Sequence, residues 1–156
     1  MQRFLTLGLL AFALGGASGS LELETLEGES VGLALREGER ALVVHFWATW
    51  CPECVDELPL LARAVERCAG SGVRVVTVDV GESRDTIARY LERHDLDLPV
   101  LRDPRGRVWR ALSGVGLPAN LTWTAEGRRI EVGPRAPPAW EEELEALGCA
   151  ASDAPD

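Results

Sequence analysis

The segment His45-Phe46-Trp47-Ala48-Thr49-Trp50-Cys51-Pro52-Glu53-Cys54 constrains this chain more than any other. Ala41 to Trp47 is a continuous apolar run of strand length, as expected for a central strand buried on both faces. A helix then opens, with Cys51 at the N-cap place and Pro52 at the first helical position, where a missing N–H costs nothing. Val55, Leu58, Leu61, Ala62 and Val65 keep helical spacing, and Gly70 with Gly72 ends the helix. A C-x-x-C therefore sits where a buried strand turns into a helix.

That placement carries chemistry. A thiolate, not a thiol, attacks a disulfide, and a helix N-terminus offers unsatisfied N–H groups and the positive dipole end. Such a setting lowers a cysteine pKa from about 8.5 toward about 3.5–7.5. Cys54 lies one turn deeper, so Cys51 is expected to be the exposed nucleophile and Cys54 the buried resolving thiol. Glu53, between them, partly opposes the acidification. A less stabilised thiolate favours a reducing over an oxidising role. The motif is not half of a zinc ribbon, because Cys68 and Cys149 supply no second closely spaced pair and His45 and His94 are isolated. No metal site is expected.

The remaining elements read in order. Leu21 to Leu33 alternates around Gly28 as a small N-terminal β-hairpin, and the Val-rich run Val73 to Val80 is a second buried strand. Ser83 caps a helix carrying Ile87, Ala88 and Leu91 and running to His94. Leu98 to Leu101 is a short extended piece, and Val108 to Leu112 a short helix. Ala119 to Thr124 and Arg129 to Val132 flank a turn at Glu126-Gly127. After a Pro137-Pro138 stop, Ala139 to Leu147 forms the last helix, opened by acidic residues. Two right-handed crossovers and an antiparallel edge make an α/β fold, a mixed central sheet with helices on both faces.

The first residues differ from the rest. Arg3 is followed by the apolar stretch Phe4 to Leu14 and the small residues Gly15 to Gly19, the order of a secretory signal peptide with cleavage after Ala17 or Gly19. An uncleaved N-terminal anchor is the alternative. Residues 1–19 are thus expected to direct export, residues 20–148 to form one domain and residues 149–156 a short tail. The net charge of −9, with no Lys, speaks against nucleic acid or anionic membrane surfaces as partners.

With the motif in view, Val44 to Pro59 resembles the periplasmic thioredoxin-like proteins of the TlpA/ResA/CcmG (DsbE) group. The likeness rests on Phe46-Trp47-Ala48-Thr49-Trp50-Cys51-Pro52-Glu53-Cys54 followed by Glu57-Leu58-Pro59. It extends through Val75 to Asp79, Leu98 to Asp103, Gly114 to Pro118 and the Asn120 to Ile130 hairpin. The resemblance implies a thioredoxin-like fold and no cofactor. It implies that Pro118 is a cis-proline beside the redox pair, freeing the backbone of Leu117 to meet a substrate chain. It implies that Glu57 tunes Cys54 and relays its proton; a solvent-facing helix Glu is the plainer reading.

His45 departs from the group, which often has Asn there. A neutral imidazole could shuttle the Cys54 proton, or it could be a core His satisfied by a backbone carbonyl. Trp50, with Pro52, Glu53 and Leu117, is expected to form the docking surface, while Trp47 packs in the core and His94, Trp109, Trp123 and Trp140 are structural. In a thioredoxin-like topology the ends of the first and last helices meet, so a Cys68–Cys149 disulfide is expected, worth roughly 2–4 kcal/mol.

The leading functional reading is a periplasmic or otherwise extracytoplasmic thiol-disulfide oxidoreductase acting on protein disulfides. By family analogy its clients include apocytochrome c and its pair is recharged by a membrane thiol donor; a monomer is expected. The alternative is a copper-handling or metal-site assembly chaperone on the same fold. A peroxidase would need a peroxidatic Cys in a Pro/Thr-rich loop, which the sequence lacks.

Overall fold

A computed structural model describes residues 21–112 and 114–150, so the expected signal segment 1–19 lies outside the described residues. Its centre is β3 (Ala41–Trp47), none of whose residues is more than 1% exposed. Helix α1 (Pro52–Arg67) carries the chain from β3 to the parallel strand β4 (Val73–Val80). Helix α2 (Arg84–Arg93) then leads to β5 (Val100–Asp103), parallel to β4. The short α3 (Arg107–Leu112) precedes β6 (Ala119–Thr124) and β7 (Gly127–Val132), an antiparallel hairpin joined to the other side of β3. Helix α4 (Pro137–Leu147) follows. The N-terminal hairpin, β1 (Leu21–Thr25) and β2 (Ser30–Leu33), adds to β5 and gives the sheet order β2-β1-β5-β4-β3-β6-β7.

Alternation along β3 sorts the core into two faces, as side chains with a period of two must. Ala41 and Val43 pack with Leu60, Leu61 and Ala64 of α1 and Trp140 and Leu144 of α4. Leu42, Val44 and Phe46 pack on the opposite side with Val108 of α3 and Leu23 and Leu33 of the hairpin. A third cluster joins Trp47, Leu58 and Ile87 to Cys51 and Cys54. Helices do cover both faces, with α1, α2 and α4 on one and α3 on the other.

Five element boundaries differ from the sequence reading. The extended piece expected at Leu98–Leu101 is a strand only from Val100, because Pro99 has no N–H for a ladder and contributes its carbonyl to Thr77 instead. It runs on to Asp103, whose carboxylate accepts the N–H groups of Arg107 and Trp109 and thereby starts α3 at Arg107. The second hairpin turns at Ala125-Glu126, since Thr124 pairs with Gly127. Helix α4 begins at Pro137, so the prolines open it rather than halt the chain. Its acids fall beyond the first turn, which removes the dipole argument made for them.

Candidate redox site

The chain leaves β3 through the turn Ala48-Thr49-Trp50-Cys51, closed by the Cys51 N–H on the Ala48 carbonyl at 3.1 Å. Cys51 is the N-cap of α1 in extended conformation, and its Sγ accepts the N–H of Cys54 at 3.3 Å. A sulfur in the place of the usual capping oxygen thus shares the Cys54 N–H with the Cys51 carbonyl, which accepts it at 3.1 Å. A negative charge on that sulfur is stabilised by the same N–H and by the helix dipole. Cys51 and Cys54 form a disulfide with Cα atoms 5.3 Å apart. Cys51 is 5% exposed and Cys54 fully buried, so the first sulfur is the one solvent reaches.

Pro118 begins the hairpin beside this turn, and the Leu117–Pro118 bond is cis, as the resemblance implied. Leu117 packs against the cluster that holds both cysteines. Trp50 is 67% exposed, and Val115 and Val132 are the other exposed large apolar residues among those described. Pro52 and Glu53 face solvent.

Beneath the pair lies a buried polar group. Glu57 is buried, not solvent-facing. Its carboxylate accepts the Arg135 N–H at 3.0 Å and the Trp140 indole N–H. His45, also buried, has Nδ1 2.7 Å from Asn120 Oδ1 and 3.8 Å from Glu57, and Nε2 3.2 Å from the Cys54 carbonyl. Burial pushes the imidazole pKa below its ordinary value, against the raising effects of Asn120 and the Glu57 charge. A neutral ring has one N–H, while both facing atoms are oxygens and Asn120 Nδ2 is left unpaired. A half-turn of the Asn120 amide resolves this: Nδ2 donates to Nδ1, and Nε2–H serves the Cys54 carbonyl. The backbone-carbonyl partner anticipated for a core His is therefore the carbonyl of the second redox cysteine.

Sequence reasoning assigned no chemistry to Trp140 and did not single out Asn120, Arg135, Asp79 or Glu82. Asn120 was findable in principle, since a hairpin strand paired to β3 must set some residue opposite His45. Trp140 and Arg135 come from a helix start far along the chain, and no local pattern announces them.

Cys68 and Cys149 form the second disulfide, with Cα atoms 4.4 Å apart. It joins the C-terminal ends of α1 and α4, at the pole of α1 opposite the redox pair. Among the described residues no cluster of three or more His, Cys, Asp or Glu is placed to hold a metal ion. His94 stacks on Tyr90, which packs on Trp47.

A strand-to-helix redox pair beside a cis-proline, on a mixed sheet of this order, defines the thioredoxin-like class. Comparison with known proteins narrows it. The AhpC/TSA family model matches residues 15–127. ResA, a thiol-disulfide oxidoreductase of Bacillus subtilis, is 28% identical over 118 residues, covering 76% of this chain and 65% of its own. ResA of Halalkalibacterium halodurans is 31% identical over 110 residues, covering 70% and 62%. The chain thus spans a little under two thirds of the length of these two relatives. A thiol:disulfide interchange protein of the thioredoxin family from Chlorobium tepidum superposes with a TM-score of 0.67 at 28% identity, covering 83% of this chain and 94% of that one. The chain belongs to the AhpC/TSA family and, within it, to the TlpA/ResA/CcmG thioredoxin-like group.

Proposed function

We propose that this protein is an exported thiol-disulfide oxidoreductase that reduces protein disulfides. The observation that carries the reading is the Cys51 sulfur capping α1 against the Cys54 N–H, beside the cis Leu117–Pro118 bond. In the reduced protein the Cys51 thiolate attacks one sulfur of a target disulfide. The other target sulfur leaves as a thiolate and takes up a proton. Cys54, giving up its proton, then attacks the Cys51 sulfur, and the second target thiol departs. Two electrons pass to the target with two protons, one from Cys54 and one from solvent, and a dithiol donor, on this reading membrane-borne, reduces the pair again.

Leu117 lends its backbone to the target chain and Trp50 an apolar contact, with Pro52 and Glu53 on the rim. On this reading Glu57, one helical turn beyond Cys54, receives the proton that leaves it, and His45, bound to the Cys54 carbonyl, positions that cysteine. The signal-like start of the chain and the oxidised pairs favour a periplasmic or similar compartment. Apocytochrome c is a fitting client, and the chain acts as a monomer.

Insulin reduction with dithiothreitol as donor tests the activity. Wild type should precipitate the insulin B chain, and Cys51→Ser should leave only the donor's background rate. Cys54→Ser should accumulate a mixed disulfide, which a non-reducing gel resolves. Turnover equal to wild type in Cys51→Ser would overturn the reading.

A further inference from the structure

The turn that presents Cys51 is held from a second place in the chain. Thr49 occupies its second position, and both of its donors are taken by one carboxylate: its N–H reaches Glu82 Oε2 at 2.6 Å and its hydroxyl Glu82 Oε1 at 2.7 Å. Glu82 stands just past the end of β4, after Gly81, whose φ of 92° lets the chain turn back over the strand end. Its own N–H is bound at 3.0 Å by Oδ1 of Asp79, the fully buried β4 residue that lies in register with Trp47. The second Asp79 oxygen, Oδ2, is buried without a partner, and the Glu82 carboxylate lies near enough that its charge acts on Asp79. Two carboxylates so close cannot both be ionised cheaply in a buried place, which favours a proton on Asp79.

We propose that Asp79 and Glu82 are positioning residues of the redox site: Asp79 holds the Glu82 backbone N–H, the Glu82 carboxylate holds Thr49, and together they fix the turn carrying Trp50 and Cys51. The inference rests on the reading of Cys51–Cys54 as the redox pair. Charges on every neighbouring element enter. Arg102 of β5, in register with Asp79, favours its ionised form and also reaches the Glu82 carbonyl at 3.5 Å. That arginine is itself engaged at 3.2 Å by Glu24 of β1. From β3 the neighbour is the neutral Trp47. Burial and the Glu82 charge win, and the Asp79 pKa is pushed up to about 8. Above that pH the second negative charge opposes Glu82, and the hold on Thr49 weakens.

The oxidised protein gives a clean reading, because neither redox cysteine titrates in it. In its 1H–15N spectrum the Thr49 amide proton should move with pH through a single step near pH 8. In Asp79→Asn, whose side-chain oxygen still accepts the Glu82 N–H but does not titrate, that step should vanish. A Thr49 resonance that is flat from pH 6 to 10, or one whose step survives in Asp79→Asn, overturns the proposal whether or not the protein reduces disulfides. In the reduced protein, Glu82→Ala should slow alkylation of Cys51 by iodoacetamide about ten-fold at pH 7, an amount corresponding to one lost charged hydrogen bond. Glu82→Gln, which keeps one acceptor, should recover part of the rate. Wild-type alkylation in a folded Glu82→Ala would also overturn the proposal.

Discussion

Helix α1 ends in a disulfide at each pole, and the two differ in nearly everything except burial. Cys51 and Cys54 are 5% and 0% exposed; Cys68 and Cys149 are 2% and 6%. Access alone therefore does not tell the reactive pair from the structural one. The helix does. At its start, the Cys54 N–H and the positive end of the helix dipole meet the Cys51 sulfur and favour a thiolate. At its end, Cys68 is the C-cap, among carbonyls that disfavour one. The surroundings agree: an exposed Trp50 and a cis-proline flank the first pair, whereas the ends of α1 and α4 enclose the second. Sequence separation completes the contrast. The first bond closes a gap of three residues and restrains the unfolded chain little, while the second closes a gap of 81.

The sharpest way to break this contrast is to exchange the outcomes. Removing Cys51 should abolish insulin reduction yet leave the urea midpoint nearly unmoved. Replacing Cys68 and Cys149 together by Ser should do the reverse, lowering unfolding free energy by about 2–5 kcal/mol while insulin reduction at 25 °C persists. If the double variant loses activity in proportion to the first, the two bonds are not separate devices.

A smaller effect is expected where α4 braces the redox end of α1. Trp140→Phe removes the indole donor from the buried Glu57 carboxylate and should cost about 1–3 kcal/mol by urea denaturation. A cost near zero would mean that Arg135 alone satisfies Glu57.

A further effect concerns pH. Asp79 ionises near 3.8 when unfolded and about 8 in the fold, so the native state holds the extra proton between these values. Its contribution to stability is complete below about pH 4 and drains away as pH rises toward 8. The difference in unfolding free energy between wild type and Asp79→Asn should therefore shift in favour of the variant over that range. A difference independent of pH would place the proton elsewhere.

Much of the molecule was legible in the chain. The β3 run, Pro52 after Cys51 and the helical spacing to Val65 encode a buried strand, a turn and a capped helix through local physics alone. The redox pair and the crossovers follow. Boundaries failed where a distant partner or a proline intervened, as at Asp103 and Pro137. The Cys68–Cys149 bond was expected only after a topology had been supposed.

What the sequence determined by itself was the candidate nucleophilic sulfur and its helix, because neighbours along the chain supply both the N–H and the cap. What the tertiary structure alone decided was the company around it. Glu57 meets Trp140 and Arg135, His45 meets Asn120, and Thr49 meets Glu82 and through it Asp79. Buried polar atoms need partners, and which ones they find depends on strand order and helix packing rather than on any spacing in the chain.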